Sequence, residues 1–81
     1  MNKTEIKDKL QGIIIDILDN DNISIYDDLP LKDLNGWSSL SNAMFISSVE
    51  EEFNFRFKLA DLLRINYVKD VIDLIINKNK L

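Results

Sequence analysis

The residues of this chain with the clearest chemical potential are serines at the expected start of a helix. Residues 36–40 read Gly-Trp-Ser-Ser-Leu and lead directly into an amphipathic stretch over 41–53. The chain contains no histidine and no cysteine, so Ser39 lacks the usual base that would activate it as a nucleophile. A hydrolase is therefore a remote interpretation, whereas a serine at a helix entrance is well placed to be modified. The simplest alternative is that Ser38 or Ser39 only caps the helix.

Size and charge limit the function classes. A chain of 81 residues predicts a single domain over 1–81, with a core too small to contain a deep enzyme pocket. Ten basic and fourteen acidic residues give a formal net charge of -4, so a nucleic-acid backbone would repel the chain overall. We therefore expect neither an enzyme nor a nucleic-acid partner.

A metal site is not expected either. Without cysteine, the chain has no thiolate ligands and no disulfide framework. The aspartates that could in principle approach a cation are Asp19, Asp21, Asp27 and Asp28. Their spacing lacks the glycine and the terminal glutamate of a calcium-binding loop.

The amino-terminal segment is charged and amphipathic. Residues 1–5 read Met-Asn-Lys-Thr-Glu and do not begin the apolar core of a signal peptide. No run in the sequence approaches the roughly 20 apolar residues that span a bilayer. We expect a cytoplasmic protein without membrane insertion.

The first of four predicted helices follows from apolar residues spaced three and four positions apart. These residues are Ile6, Leu10, Ile13, Ile14 and Ile17. Asn2 or Thr4 can cap the helix, and the Asn-Asp-Asn cluster at 20–22 should stop it.

The connection over about 20–38 is long for a compact domain, so it should be anchored by its own apolar side chains. The candidates are Ile23, Ile25, Leu29, Leu31 and Leu34. Pro30 and Gly36 should shape its turns.

The second helix, predicted over 39–53, has two faces. The residues expected to form its buried stripe are Phe45, Ile46, Val49 and Phe53. Phe53 and Ile14 should belong to one core. Leu40 and Met44 fall on another side of the helix, where they either extend the core or contact a partner, and for Leu40 these interpretations are equally good.

Two further helices complete the predicted all-α, four-helix layout. A short third helix over about 59–64 should pack apolar residues against the core, namely Leu62 and either Leu63 or Ile65. The fourth should begin near Asn66, a good cap. Its buried residues should be Val68, Val71, Ile72 and Ile75. It should end in residues 77–80, whose lysines suit a helix carboxyl end or a solvated tail.

These features together resemble an acyl carrier protein. That family carries phosphopantetheine on the serine of an Asp-Ser-Leu motif; Ser39 and Leu40 match its last two positions, and Ser38 replaces the aspartate. The acidic end of the second helix, over 49–53, and the closing apolar helix, over 68–75, also match the family. The resemblance implies a four-helix bundle of acyl-carrier-protein type with a long first loop and a short third helix.

The resemblance also implies a covalent cofactor, 4'-phosphopantetheine from coenzyme A, attached to Ser39. A phosphopantetheinyl transferase would attach this arm, and its terminal thiol would hold an acyl group as a thioester. Acyl- or aminoacyl-loading and transferring enzymes would be the other partners, and we expect the carrier to be a monomer. A phosphodiester on Ser39 would lie in the favourable field of a helix amino terminus.

Partner recognition should fall mainly on the second helix. Leu40 and Met44, one turn apart, would form a small apolar patch beside the arm. Acidic residues could meet basic surfaces on partner enzymes and speed their encounter. The acidic candidates are Asp33, Glu50, Glu51, Glu52 and Asp61. A solvated helix end is the alternative interpretation of residues 50–52.

Three features depart from housekeeping fatty-acid carriers: Ser38 in place of aspartate, a neutral stretch over 41–44, and Trp37. Trp37 resembles discrete carriers of other pathways, although it could equally plug the core. Together these departures favour a specialised biosynthetic pathway. An aminoacyl or peptidyl carrier with the same fold is one alternative, and an unmodified helical protein-interaction domain is the alternative without an arm.

Overall fold

The computed structural model describes residues 1–79, and within them the chain forms four α-helices. The helices are α1 (Lys3–Leu18), α2 (Ser39–Phe53), α3 (Leu59–Leu62) and α4 (Val68–Lys78), with a 3-10 turn at Leu31–Asp33 in the first loop. The predicted all-α fold with a long first loop and a short third helix is confirmed. Lys80 of the predicted basic tail lies outside the described residues. None of the helices in the described range has the length and apolar character required to cross a bilayer.

Helix α1 starts with a reciprocal cap. The Asn2 Oδ1 atom accepts a hydrogen bond from the Glu5 N–H at 2.9 Å, and the Glu5 carboxylate accepts one from the Asn2 N–H at 3.5 Å. The pair satisfies two amide groups that the first helical turn leaves without a carbonyl partner. Of the two predicted caps, Asn2 is therefore the one used. The helix ends at Asp19, which adopts the left-handed conformation (φ 51°).

The core lies where α1 packs against α2 and α4. From α1 and α2 it receives Ile6, Leu10, Ile14, Phe45, Val49 and Phe53, and from α4 it receives Val68, Val71, Ile72 and Ile75. Three half-buried isoleucines, Ile13, Ile17 and Ile46, pack against this cluster. The predicted stripes of all three long helices are confirmed, and Ile14 and Phe53 share one core.

The long first loop is anchored as predicted. Ile25, Leu29, Leu31 and Leu34 are buried, and Ile23 is half-buried against them. The Leu31 N–H donates to the Asn66 carbonyl and the Val68 N–H donates to the Leu29 carbonyl, both at 3.0 Å. An isolated antiparallel bridge between Pro30 and Tyr67 lies between these two bonds. The loop is thereby joined to the segment that precedes α4.

The third helix is shorter than predicted and does not contribute a buried residue. α3 is a single turn that ends at Leu62 rather than near Arg64. Leu62 and Leu63 are exposed, and only Ile65, beyond the helix, packs against the core. Of the alternatives Leu63 and Ile65, the structure therefore supports Ile65, and the prediction for Leu62 was wrong because one turn of helix is too short for apolar spacing to define a buried face.

The start of α4 also differs from the prediction. The helix begins at Val68 with Tyr67 as the preceding cap position, so Asn66 is not the cap. The Asp70 carboxylate accepts hydrogen bonds from the N–H groups of Asn66 and Tyr67, both at 2.9 Å. The Asp70 carboxylate therefore fastens the two residues just before the helix, whereas the first helical N–H groups, those of Val68 and Lys69, donate to the carbonyls of Leu29 and Asp27 in the first loop.

Candidate functional site

Three serines at the amino terminus of α2 have three different environments. Ser38 has extended backbone angles (φ -140°, ψ 177°), and its hydroxyl oxygen accepts a hydrogen bond from the Ser41 N–H at 3.2 Å. This is the geometry of a helix N-cap. Ser38 is thus a structural residue, and a serine here can perform the capping role that aspartate also fills well.

Ser41 is turned inward. It is 8% exposed, its hydroxyl lies 3.2 Å from that of Ser38, and it donates a hydrogen bond of 3.4 Å to the Gly36 carbonyl. Gly36 has φ +89°, a conformation that glycine adopts readily. The inward position of Ser41 was not predicted, although the sequence signal for it is a serine three residues after a capping serine.

Ser39 is the first residue of α2 and is exposed to solvent. Helix geometry leaves the N–H groups of Ser39 and Leu40 without an intrahelical carbonyl. A hydroxyl at this position is therefore accessible from outside and close to backbone donors. Of the three serines, Ser39 is the one whose surroundings permit modification without loss of the cap or of a buried hydrogen bond.

The amino terminus of α2 also lacks a carboxylate of its own. Among the described helices, α1, α3 and α4 have acidic residues in their first turns, namely Glu5, Asp61 and Asp70, whereas α2 has none. The helix dipole at Ser39 is therefore not compensated by a side-chain anion in that turn. Such an end favours an attached phosphate.

Trp37, just before these serines, packs partly into the core. Its ring meets that of Phe45 edge to face, with the ring centroids 5.6 Å apart and an angle of 70° between the ring planes. Trp37 also lines a groove of about 450 Å³, together with Pro30, Asn42, Ile65, Asn66 and Tyr67. The interpretation that Trp37 plugs the core is therefore only partly correct. Trp37 packs against the core and also forms a wall of an open groove.

Leu40 and Met44 lie on the outer side of α2. Leu40 is 70% exposed and Met44 is 45% exposed, so neither extends the core. The core alternative for Leu40 is wrong, because its side chain lies outside the buried stripe that includes Phe45 and Val49. Two apolar side chains one turn apart, next to Ser39, remain available for a partner.

The predicted acidic residues of α2 do not form one uniform surface. The Glu50 carboxylate accepts a hydrogen bond of 2.7 Å from the Phe57 N–H, which fastens the chain after α2. Glu52 lies 3.8 Å from Lys9 of α1. Glu51 is exposed between them and is the acid of this group best placed to meet a partner.

Asp61 and Asp33, the other acidic candidates, also differ in their surroundings. The Lys58 N–H, which donates to Asp61 at 2.8 Å, and the Lys78 ammonium, 3.0 Å away, hold the pKa of the Asp61 carboxyl below its ordinary value. Asp61 therefore stabilises the contact between α3 and α4. Asp33 is exposed on the 3-10 turn.

Two of the aspartates considered as metal ligands form ion pairs instead. Asp27 lies 3.0 Å from Lys7, which lowers the pKa of the Asp27 carboxyl, and Asp28 lies 2.9 Å from Lys69 and raises the pKa of that lysine. Across residues 1–79, no group of three or more acidic side chains is arranged to hold a metal ion.

Comparisons with known proteins agree with this geometry. Residues 8–75 match the family model described as "phosphopantetheine attachment site". The chain is 34% identical over 74 residues to a protein named acyl carrier protein from Buchnera aphidicola subsp. Acyrthosiphon pisum (strain 5A), a match that covers 91% of this chain and 92% of that protein. It also resembles the solution NMR structure of a holo acyl carrier protein from Geobacter metallireducens. That match has a TM-score of 0.81 and 30% identity, and it covers 90% of this chain and 84% of the other.

Proposed function

The chain belongs to the acyl carrier protein family, and from that premise we propose that it carries an acyl group on a 4'-phosphopantetheine arm attached to Ser39. The observation that supports Ser39 as the attachment site most strongly is that the three serines have different structural roles. Ser38 caps α2, Ser41 is buried against the Gly36 carbonyl, and Ser39 is exposed. A transferase that reaches this helix entrance would find one accessible hydroxyl that has no structural task.

The residues around Ser39 suit the attached group. Its phosphodiester is an anion, and the first turn of α2 offers the N–H groups of Ser39 and Leu40 with no competing carboxylate. When bound, the arm supplies a terminal thiol that can hold an acyl group as a thioester. With neither histidine nor cysteine in the sequence, we propose that the chain contributes recognition and position while its partners supply catalysis.

The exposed face of α2 is the proposed contact for those partners. A phosphopantetheinyl transferase and the enzymes that load and transfer the cargo must all approach Ser39. Leu40 and Met44 offer apolar area beside it, and Glu51 offers charge about three turns further along the helix. Glu50 contributes less to this surface because its carboxylate is hydrogen-bonded to the backbone at Phe57.

We further propose that the carrier serves a specialised biosynthetic pathway rather than housekeeping fatty acid biosynthesis. The first half of α2 is neutral over residues 41–44, so a partner that relies on acidic residues near the arm would find few of them there. An aminoacyl or peptidyl carrier has the same fold and arm and differs in its cargo. A single domain over 1–81, a monomeric state and a cytoplasmic location remain predictions.

Intact-mass analysis of the protein purified from its own host tests the proposal. The expected result is a mass increase for phosphopantetheine, plus an acyl cargo, that maps to the peptide containing Ser39. A fatty acyl chain of the housekeeping type would contradict the specialised pathway, and an aminoacyl cargo would favour the peptidyl alternative. A chain that stays unmodified after exposure to several transferases and coenzyme A would favour the unmodified interaction domain.

A further inference from the structure

The turn that leads into α2 contains an asparagine followed directly by a glycine, Asn35 and Gly36. No other asparagine in the sequence precedes a glycine. An asparagine side chain loses ammonia when the backbone nitrogen of the next residue attacks its carbonyl carbon, and a side chain on that next residue hinders the attack. Glycine has no side chain, so the pair at 35–36 has the lowest steric barrier to this reaction among the asparagines of the chain.

The surroundings of the pair leave both reacting groups accessible. Asn35 and Gly36 are exposed, and within residues 1–79 the Gly36 N–H donates no hydrogen bond. The turn is closed by one backbone bond, from the Trp37 N–H to the Leu34 carbonyl at 3.0 Å. An exposed turn of this kind opens at low cost, and opening lets the Asn35 side chain rotate towards the Gly36 nitrogen.

A second side-chain amide that precedes a glycine has the opposite surroundings. Gln11 precedes Gly12, but both lie inside α1, where the Gly12 N–H is held by the helix. The Gln11 Oε1 atom accepts a hydrogen bond from the Ile25 N–H at 3.0 Å. Attack on glutamine would also have to close a larger ring. The structure therefore protects Gln11 and leaves Asn35 open.

We propose that Asn35 is a site of spontaneous deamidation. The Gly36 nitrogen loses its proton and forms a bond to the side-chain carbonyl carbon of Asn35, and ammonia leaves to give a cyclic succinimide. Water then opens the ring at one of its two carbonyls, which yields aspartate or isoaspartate at this position. The overall reaction consumes one water and releases one ammonia, and it requires neither an oxidant nor an enzyme.

The isoaspartate product would disturb the start of α2. It inserts a methylene group into the main chain just before Gly36, whose carbonyl accepts the hydroxyl of the buried Ser41 at 3.4 Å. The Ser41 hydroxyl also lies 3.2 Å from that of the cap, Ser38. A shift of the Gly36 carbonyl therefore loosens the contacts on both sides of Ser39, and attachment of the arm should become slower. This consequence rests on the proposed attachment at Ser39, whereas the deamidation itself does not.

Incubation of the full, unmodified chain in warm, mildly alkaline buffer tests the deamidation, because alkali favours loss of the proton from the attacking nitrogen. Each event exchanges a neutral amide for a carboxylate and so adds one negative charge to the formal net charge of -4. Ion-exchange chromatography should resolve a more acidic form that increases with time. Peptide mapping should identify aspartate and isoaspartate in place of Asn35.

Two glutamine variants provide a matched pair. Asn35→Gln should lose the acidic form, because glutamine closes the larger ring slowly. Asn22→Gln changes another exposed asparagine of the same loop and should leave the acidic form unchanged, because the β-branched side chain of Ile23 already hinders attack at Asn22. Both positions are exposed, so neither change should prevent folding.

The effect on α2 is tested by the rate at which fresh and aged proteins gain the arm from coenzyme A and a broad-specificity transferase. Aged wild-type protein should be modified more slowly than fresh protein, in proportion to its isoaspartate content. Fresh and aged Asn35→Gln should be modified equally fast. Fresh Asn35→Asp adds the charge without lengthening the main chain, and its rate should stay close to that of the fresh wild type, because salt screens an exposed charge.

The outcomes separate the deamidation from its consequence and from the proposed function. Absence of an acidic form, or an acidic form that persists in Asn35→Gln, would overturn the assignment of Asn35. Deamidation at Asn35 with an unchanged rate of attachment would overturn the effect on α2. If the fresh protein gains no arm, the function proposed for Ser39 is wrong, while an acidic form that maps to Asn35 still supports the deamidation.

Discussion

The amino termini of α1 and α2 have equivalent side-chain caps but differ in the residue three positions after the cap. In α1, the Asn2 side chain caps the helix and the Glu5 carboxylate, three residues later, reaches back over the end. In α2, the Ser38 side chain caps the helix, but the residue three positions later is Ser41, whose hydroxyl turns inward to the Gly36 carbonyl. One helix end is closed by its own anion, and the other is left without one.

The difference shows how a small helical domain can prepare an attachment site without catalytic residues. A carboxylate at a helix amino terminus typically stabilises a protein by about 0.3–1 kcal/mol. The amino terminus of α1 has this stabilisation from Glu5. In the first turn of α2 no carboxylate occupies that position, which leaves it open for a phosphodiester on Ser39. The amino terminus of α2 thus lacks the stabilisation that a carboxylate in its first turn would give. The phosphodiester of the attached arm would supply that negative charge.

The largest expected effect compares the same substitution in the two helices. Leu10 of α1 is 1% exposed and Leu40 of α2 is 70% exposed. Leu10→Ala should lower the free energy of unfolding by about 2–5 kcal/mol because it leaves a cavity in the core. Leu40→Ala should change it by no more than about 0.5 kcal/mol. Denaturant melts measure both, and equal losses would mean that Leu40 is packed and that the outer face of α2 is not a contact surface.

The next effect concerns partners rather than stability. Met44→Glu places a charge on the exposed patch of α2, and loss of a contact worth about 1.4 kcal/mol would slow transfer of the arm or cargo about tenfold. The melting temperature should stay nearly unchanged. Thr4→Glu adds the same charge on α1 and serves as the control, with normal transfer expected. If Met44→Glu leaves the transfer rate unchanged with every true partner, Met44 is a surface residue that contacts none of them. A large loss of stability in this variant would place Met44 in the core.

A smaller effect tests the caps themselves. Ser38→Ala should lower the free energy of unfolding by about 0.5–2 kcal/mol, as should Asn2→Ala, because each removes a side-chain acceptor at a helix start. Ser38→Asp should restore the loss, since aspartate caps equally well. Phosphopantetheine should still attach to Ser39 in all three variants. A Ser38→Ala protein that is fully stable would mean that Ser38 is not the cap.

The smallest effect is the response of the helix ends to pH. The Asp61 carboxyl at the start of α3 has a pKa below its ordinary value of 3.8, because of the Lys58 N–H and then Lys78. Its stabilisation is therefore present above that value and is lost as the pH falls through it towards the lower folded pKa.

Asp61→Asn should accordingly destabilise the protein at pH 7 and do so less at pH 3, because at pH 3, below the ordinary pKa of 3.8, the carboxyl of the unfolded wild-type chain is largely protonated. Ser38→Ala removes a group that does not titrate, so its effect should be the same at both pH values. Melts at the two pH values make the comparison. A loss in Asp61→Asn that does not depend on pH would mean that the charge of Asp61 does not contribute.

The sequence predicts the parts of this molecule that depend on long periodic segments. The stripes of α1, α2 and α4 repeat over several turns, so their burial is determined mainly by helix geometry. The buried residues of the long first loop were also predicted, because a loop of that length must supply its own apolar anchors. Ser39 is the start of α2 in both the prediction and the structure.

The incorrect predictions concern local contacts that no repeating pattern in the sequence indicates. α3 is one turn long, so Leu62 could not be assigned to a face from spacing. Asn66 is a good cap by type, but the first amide groups of α4 donate to carbonyls of the first loop instead. The inward turn of Ser41 depends on the φ of Gly36, and the groove at Trp37 depends on the bridge between Pro30 and Tyr67. Both arise from contacts that the sequence does not display.

Attachment of the arm to Ser39 can be tested by mapping phosphopantetheine on three alanine variants, Ser38→Ala, Ser39→Ala and Ser41→Ala. Each protein is incubated with coenzyme A and a broad-specificity transferase, and its mass and modified peptide are then determined. We expect that Ser39→Ala gains no mass, while the other two variants are modified at Ser39. An adduct on Ser38 or Ser41, or one that survives Ser39→Ala, would mean that Ser39 is not the attachment site.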